Sequence, residues 1–259
     1  MSHHIVEAKD VEYSYPDNTE ALRGISFRIT HGESVAIVGA NGAGKSTLLA
    51  HLSGVFAPSR GLVRIGDYPV TKQTLQHIRR SVGMVFQNPD DQLFMPTVFD
   101  DVAFGPLNLG LPPDEVDRRV TQALNTVGVA NLINRAPYKL SGGQKRAVAI
   151  ASVLSMQPDV LVMDEPSAGL DPSARRQLIN LLKSFKHTKI VASHDLDLVL
   201  DVCARTIVLA EGKVIADGPT LQVFGDASLL ARSNLEKPLR MQECPICSLS
   251  TNEILQTLK

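Results

Sequence analysis

The chain has 259 residues, of which 44% are apolar and 20% are charged, and its formal net charge at pH 7 is −1. This composition is typical of a folded globular protein with a sizeable core and excludes a largely disordered chain. A charge so close to zero gives no sign of a DNA- or RNA-binding surface, and no apolar run reaches the roughly 18–20 residues that cross a bilayer.

The first part of the chain predicts antiparallel strands, then a buried strand and a glycine-rich loop. Apolar residues alternate from Val6 to Val11 and again from Ile25 to Ile29, with turn residues between the two stretches. A period of two is the pattern of half-buried strands. The next apolar run, Ser34–Val38, has the length of a fully buried strand, and leucines at helical spacing follow the loop after it.

A helical lobe is predicted in the middle of the chain. Val82–Phe86 is expected to be a strand that ends at Gln87, whereas residues 89–157 show almost no strand pattern. Helices are expected to open near Pro112 and Ser141, where helix-start residues precede apolar residues at helical spacing. We therefore predict an inserted helical subdomain of about residues 89–157.

Strands alternate with helices in the rest of the chain, which predicts an α/β fold with a mostly parallel sheet. The core is expected to comprise residues 1–88 and 158–225, within one domain of residues 1–240. A loosely packed tail is expected from Asp226 to Lys259. The predicted strands are Val160–Met163, Lys189–Ala192, Thr206–Leu209 and Lys213–Ala216, with helices across Pro172–Phe185 and from Asp195.

Residues 39–46 fit the pattern G-x-x-x-x-G-K-[ST] at every fixed position. In such a loop the backbone N–H groups surround phosphate oxygens, and the following helix directs its positive end at the same anion. Lys45 is expected to reach the β- and γ-phosphates of a nucleotide, and the Ser46 hydroxyl to hold Mg²⁺. The candidate residues of this loop are Gly39, Ala40, Asn41, Gly42, Ala43, Gly44, Lys45, Ser46 and Thr47.

Two carboxylates end the apolar strand at residues 160–163. A buried strand can carry acidic residues only at its end, where cations or water can contact them. Asp164 is therefore expected to contact Mg²⁺, and Glu165 to orient or deprotonate an attacking water. Alone, the pair fits a solvated turn equally well, and the phosphate loop is what favours the catalytic interpretation.

A second anion-binding pattern occupies Ser141, Gly142, Gly143 and Gln144. Serine as N-cap followed by a helix leaves backbone N–H groups free for an anion. One chain with two phosphate sites and one carboxylate pair is unusual. We therefore expect the second site to serve a nucleotide that another chain holds.

Taken together, these motifs resemble an ATP-binding-cassette (ABC) ATPase over residues 5–225. The resemblance implies a P-loop core, an N-terminal antiparallel β subdomain and an inserted helical subdomain. Leu140–Gln144 is similar to the family signature, and Ser167–Asp171 to the loop that crosses the dimer interface. Three single residues also match the family pattern. They are Gln87, for Mg²⁺ and water; His194, for the γ-phosphate; and Tyr15, for stacking on adenine, with Tyr13 as the alternative.

Residues 86–94 and 98–106 are similar to the ATPases of energy-coupling-factor importers, which take up cobalt or nickel ions or vitamins. The resemblance implies ATP and Mg²⁺ as cofactors and a second ATPase chain, identical or paralogous. It also implies integral membrane partners and a peripheral location on the cytoplasmic face of the membrane. The motifs do not specify the cargo, and neither cargo nor nucleic acid is expected to bind directly.

Other functions remain open at this point. A soluble ABC-type machine is one, although residues 87–141 contain no heptads, and a hydrolysis-inactive cassette is another. Cys244 and Cys247 have metal-ligand spacing, but a structural zinc site needs four ligands. We expect reduced thiols in an exposed tail, with a shared dimer site or a redox role as alternatives.

Overall fold

The structure is a computed structural model that describes residues 4–242, without the side chain of His4. Its strands follow the chain as β1 (His4–Ser14), β2 (Glu20–Thr30), β3 (Ser34–Val38), β4 (Arg60–Ile65), β5 (Tyr68–Pro69), β6 (Val82–Val85), β7 (Val160–Asp164), β8 (Thr188–Ala192), β9 (Arg205–Ala210) and β10 (Lys213–Pro219). Its α-helices are α1 (Lys45–Leu52), α2 (Leu75–Ser81), α3 (Val98–Asn108), α4 (Pro113–Thr126), α5 (Gly142–Leu154), α6 (Pro172–Ser184), α7 (Leu196–Val202), α8 (Thr220–Gly225) and α9 (Ala227–Arg232). Short 3₁₀ helices lie at Pro89–Asp91, Ala130–Leu132, Pro137–Lys139 and Leu239–Met241.

The N-terminal strands form an antiparallel sheet in the order β2-β1-β4-β5. Ala8 pairs with Phe27 of β2 and with Val63 of β4. All three side chains are buried, because alternate residues of each strand point to the same face of the sheet. The predicted antiparallel subdomain is confirmed. β4 and β5 belong to it although the sequence pattern did not indicate them.

The second sheet has the order β10-β9-β3-β8-β7-β6 and is parallel except for β10. All five residues of β7 and of β8 are buried, as expected for strands covered on both faces. The carboxyl ends of β3 and β7 flank that of β8, since Ile37 and Asp164 both pair with Ala192. The loops after these three strands therefore meet at one edge of the sheet.

The helical lobe lies between β6 and β7 in the chain. Helices α3, α4 and α5 enclose an apolar cluster of their own, which includes Val102, Val120, Leu124 and Val148. Helix α4 presents an apolar face of Val116, Val120, Ala123 and Leu124, the pattern that predicted it. The predicted helical subdomain is present.

The segment after Asp226 is packed, and the expectation of a loose tail is wrong for its described part. Leu229 and Leu230 of α9 are buried in the main core. Arg240 then binds Asp197 and Asp201 of α7, with its Nε 3.2 Å from Asp197 Oδ1. Burial of two leucines and this ion-pair cluster hold the chain against α7 as far as Gln242.

Candidate active site

One cavity of about 470 Å³ brings together most of the predicted site residues. It opens where the loops after β3, β6, β7 and β8 meet. Its lining combines an aromatic ring, the start of β2, the phosphate loop, Gln87 and the acid–histidine pair. The lining residues are Tyr15, Thr19, Glu20, Ala21, Asn41, Gly42, Gly44, Lys45, Ser46, Thr47, Gln87, Glu165 and His194.

The phosphate loop joins β3 to α1 as the motif requires. Gly44 has φ +100°, and a Cβ there would lie 2.7 Å from the backbone oxygen of Ala21, so only glycine fits. The Nζ of Lys45 donates hydrogen bonds to the backbone oxygens of Gly39 (2.8 Å) and Ala40 (3.1 Å). A buried ammonium held by carbonyl groups on the inner side of the loop is positioned to exchange them for phosphate oxygens.

The carboxyl of Asp164 has the surroundings of a cation ligand. Burial raises the pKa of Asp164, and a hydrogen bond from the Ser46 hydroxyl together with the charge of Lys45 opposes that rise. Its Oδ1 atom is buried and has no hydrogen-bond partner. A buried carboxylate oxygen beside a serine hydroxyl is an oxygen donor set of the kind that Mg²⁺ prefers. These two residues therefore fit a magnesium ion.

The carboxylate of Glu165 is held from one side only. Its Oε2 accepts hydrogen bonds from the Ser193 hydroxyl and the His194 amide, both at 3.2 Å, and lies 2.8 Å from His194 Nδ1. Within residues 4–242, no hydrogen bond reaches Oε1. Since Glu165 lines the cavity, that oxygen is free to accept a proton from a water molecule beside the phosphates.

The backbone at Glu165 is strained. Its φ is +44°, a left-handed conformation that costs a residue with a Cβ roughly 1 kcal/mol or more. Two hydrogen bonds stabilise the turn: the Glu165 amide donates to Ala192 O (2.8 Å), and the Ala168 amide donates to Glu165 O (3.1 Å). The turn directs the side chain toward the cavity immediately after the buried strand β7.

Tyr15 forms the aromatic end of the cavity. Its hydroxyl lies 2.8 Å from the hydroxyl of Thr47, so the ring stands beside the phosphate loop. Tyr13, the alternative adenine contact, does not line the cavity and instead stacks on Phe56, with ring centroids 5.2 Å apart. The geometry favours Tyr15 as the residue that meets the base.

The signature residues are not part of this cavity. Ser141 caps α5 in a capping box: its hydroxyl accepts from the Gln144 amide (3.3 Å), and its amide donates to Gln144 Oε1 (3.0 Å). Gly142 and Gly143 follow as the first residues of the helix, where amide groups lack helical acceptors. The structure thus keeps the two predicted anion sites of one chain apart.

Arg146 is a site residue that sequence reasoning missed. It lies on α5, two residues after the signature, and is only 3% exposed. It donates to the backbone oxygens of Phe86 (2.7 Å) and Gln87 (2.5 Å). Burial lowers the pKa of this guanidinium, and the nearby Asp164 carboxyl opposes that. The signal in the sequence that could have identified Arg146 was a single arginine within an otherwise apolar face of the predicted helix.

Asp195 is a second residue that sequence reasoning did not place in the site. It caps α7 through the Leu198 amide (2.9 Å) and accepts two hydrogen bonds from Arg175 of α6, at 2.7 and 2.8 Å. Its carboxylate also accepts from the hydroxyl of Ser167, at 3.2 Å. The predicted interface loop is thus tied to the residue that follows His194.

The profile of the ABC transporter family matches residues 22–168 of the chain, which include the phosphate loop, the signature and the acidic pair. The chain belongs to the ABC transporter family. A relative from Geobacter sulfurreducens, named "Putative ABC transporter ATP-binding protein", is 70% identical over 95% of this chain and 99% of its own length. The energy-coupling factor transporter ATP-binding protein EcfA of Methanothermobacter thermautotrophicus is 49% identical over 90% of this chain and 77% of its own length.

Solved structures agree with this assignment to the ABC family. CbiO1 from Clostridium perfringens, described as part of the ABC transporter complex cbiONQ, has a TM-score of 0.79 at 40% identity and covers 90% of this chain and 95% of its own. The ATP-binding cassette MJ0796, a dimer bound to ADP and Pi, has a TM-score of 0.75 at 29% identity, with coverages of 83% and 98%. The predicted fold class and the ATP-hydrolysing ABC subunit of energy-coupling-factor type are confirmed.

Within residues 4–242, none of the helices combines the length and the apolar character needed to span a bilayer. Cys203 is buried and free. Cys244 and Cys247 lie outside the described residues, so the expectation of reduced thiols in an exposed tail stays a prediction.

Proposed function

We propose that this ABC subunit hydrolyses ATP to drive an importer for cobalt or nickel ions. The supporting observation is its likeness to CbiO1, part of the cbiONQ complex, at 40% identity over 90% of the chain. The similarity of residues 86–94 and 98–106 to the ATPases of energy-coupling-factor importers supports the importer type and does not specify the cargo. Vitamin import by a transporter of the same type is the alternative.

The nucleotide is proposed to lie along the cavity from Tyr15 to Glu165. Adenine stacks on the Tyr15 ring, and the phosphates take the place of the carbonyl contacts of Lys45. The Ser46 hydroxyl and the unpartnered Oδ1 of Asp164 would hold Mg²⁺, and Gln87, which lines the same cavity, would be a further ligand. When bound, the ion neutralises charge on the phosphate oxygens.

Hydrolysis is proposed to begin with removal of a proton from water by Oε1 of Glu165. His194 and Ser193 hold the other carboxylate oxygen, which fixes the orientation of the base without occupying both of its oxygens. Lys45 stabilises the charge that develops on the transferred phosphoryl group. All of these groups act from the same side of the nucleotide.

The opposite side is proposed to be completed by a second ATPase chain. The amides at Gly142 and Gly143 lie outside the cavity of their own chain, and such amides stabilise anionic oxygens. Two chains placed head to tail would bring each signature to the other's phosphates. The dimer of the MJ0796 cassette supports this arrangement, and the second chain is an identical copy or a paralogue.

The membrane partner is proposed to bind an apolar patch centred on Phe94 and Phe104, with the exposed side chains of Phe86 and Leu107 nearby in the chain. Phe94 is 63% exposed and packs its edge against Phe104, with centroids 5.1 Å apart. Apolar side chains clustered in this way on a surface favour an interface. Arg146, which holds the backbone of Phe86 and Gln87, connects the patch to the active site. The subunit would then be peripheral, on the cytoplasmic face of the membrane.

The test is purification of the complex in mild detergent, followed by transport. We expect integral membrane proteins to co-purify with the wild-type chain and not with F94S/F104S. L221S is a matched control, since Leu221 is a 69% exposed apolar residue on α8, outside the segment between β6 and β7 that carries the patch. ATP-dependent uptake of radioactive cobalt or nickel by reconstituted vesicles is expected. Uptake of a vitamin alone would select the alternative, and absence of any membrane partner would favour a soluble machine.

A further inference from the structure

His51, near the end of α1, is completely buried beneath the aromatic end of the cavity. Its Nδ1 lies 2.7 Å from the backbone oxygen of Thr47. Because a carbonyl oxygen only accepts, Nδ1 carries the proton. Burial lowers the pKa of the imidazole, and the carbonyl groups of Thr47 and Ala57 oppose that. The lowered pKa favours the neutral form of the ring at pH 7.

The other nitrogen of His51 makes no direct hydrogen bond to the described residues that would explain a polar residue here. Nε2 is buried and makes no hydrogen bond in the described part of the chain. A buried polar atom without a partner destabilises the fold, so an apolar side chain would serve core packing better. The position of the ring is what remains to be explained.

The His51 ring is the innermost of four that pack together. Tyr13 meets it edge to face, with centroids 4.7 Å apart, and Phe56 lies at 5.8 Å. Tyr13 and Phe56 stack on each other, and each in turn contacts Tyr15 edge to face, at 5.2 and 6.0 Å. Both rings that contact Tyr15 thus rest on His51.

Tyr15 is also fixed at its hydroxyl, which bonds the side chain of Thr47. His51 bonds the backbone of the same threonine. His51 therefore contacts the groups that hold Tyr15 in place: Tyr13 and Phe56, which pack on the Tyr15 ring, and Thr47, which bonds the Tyr15 hydroxyl. His51 itself does not line the cavity. A half-buried tyrosine at the edge of a cavity has rotamer freedom that such supports remove.

We propose that His51 is a positioning residue for base recognition, which holds the Tyr15 ring in the plane that receives adenine. The proposal rests on the proposed stacking of adenine on Tyr15. It assigns His51 no contact with the nucleotide and no part in phosphate binding. The ring of His51, rather than its hydrogen bond, carries the effect.

Two substitutions separate the ring from the hydrogen bond. H51N retains a donor near the Nδ1 position and removes the ring, whereas H51F retains an aromatic ring and removes the donor. Binding of ADP and of inorganic pyrophosphate, which lacks a base, is measured by titration calorimetry. We expect H51N to weaken ADP binding about three- to tenfold, in the range of one lost aromatic contact. Pyrophosphate binding is expected to stay unchanged, and H51F to bind ADP within about twofold of wild type.

F56A provides an independent variant if H51N does not fold, because it opens the same stack without altering α1. It is expected to weaken ADP selectively, as H51N does. The loss caused by H51N should disappear in a Y15A background, where there is no stacking ring left to position.

Equal loss of ADP and pyrophosphate binding in H51N would show that His51 only maintains α1, and the proposal would be wrong. Unchanged ADP binding in H51N, or an H51F protein that binds ADP as weakly as H51N, would overturn it too. If Y15A itself binds ADP as tightly as wild type, the stacking role of Tyr15 fails instead, and that result is separate from the others.

Discussion

Nδ1 of His194 lies 2.8 Å from Oε2 of Glu165, and the two side chains differ sharply in exposure, at 66% and 7%. The acid is fixed inside the fold while its partner stands at the open face of the cavity. An exposed histidine can respond to what approaches that face, whether the terminal phosphate or a second chain. The pair therefore joins a buried acid to an exposed histidine at the face where the proposed second chain would bind.

Replacement of the base should stop turnover without stopping binding. E165Q keeps the shape of the side chain and loses its charge and basicity, so we expect kcat to fall on the order of 10²–10⁴-fold. ATP binding should persist, and a nucleotide-bound dimer should accumulate in size-exclusion chromatography. K45A is the contrasting variant, because loss of the ammonium should weaken nucleotide binding itself. Near-normal turnover by E165Q would remove Glu165 from its proposed role.

Catalysis should require residues from two chains. K45A disables the phosphate loop and S141R blocks the signature, and each homodimer is expected to be inactive. In a mixed dimer one site carries both lesions and the other carries none, so mixing should partly restore ATPase activity. No recovery after demonstrated subunit exchange would contradict the composite site. If the natural partner is a paralogue, the two substitutions belong on the two different chains.

The buried arginine should matter for both stability and rate. R146M leaves the carbonyl groups of Phe86 and Gln87 without their donor, and we expect a loss of about 1–3 kcal/mol in the free energy of unfolding. Urea denaturation measures this change, and kcat should fall because Gln87 loses its anchor. R146K should recover only part of both.

K145M is the matched control for Arg146. Lys145, the preceding residue on α5, pairs with Asp90 at 2.6 Å, but the Asp90 side chain is 61% exposed. Loss of such a surface pair should cost no more than about 1 kcal/mol. Equal effects of R146M and K145M would mean that Arg146 does not hold the Gln87 segment.

The thiol of Cys203 should be unreactive in the folded protein. Burial raises its pKa to about 12, so the reactive thiolate is scarce at pH 8, and access is blocked as well. In C244S/C247S, where Cys203 is the sole thiol, we expect labelling only after denaturation. The same double variant should keep wild-type ATPase activity, and rapid labelling of its native state would contradict the buried environment.

Local sequence patterns predicted the parts of the site that lie within a few residues of one another. The phosphate loop, the acidic strand end and the capped signature each combine a strand or helix with the residues beside it. Their spacing along the chain therefore determines their geometry. The burial of β3 and β7 likewise followed from short apolar runs.

The contacts that join distant segments were not predictable in the same way. Arg146 reaches Gln87 across 59 positions, and Arg240 reaches Asp197 across 43. Such pairs depend on how the helical lobe and the C-terminal segment pack against the core, and neither packing leaves a periodic signal. Strands β4 and β5 were missed for a similar reason, since their pairing with β1 and with β4, respectively, defines them.

Gln242, the last described residue, shares a cavity wall with His194 and Asp197. A fluorophore attached at residue 242 would lie beside His194 of the proposed hydrolysis site. Its position is far in sequence from the apolar patch of Phe94 and Phe104. Q242C in a background without Cys244 and Cys247 offers a single accessible attachment point, because Cys203 is enclosed. Changes in dye emission would then report the opening and closing of the site in real time, cycle by cycle, in an intact transporter.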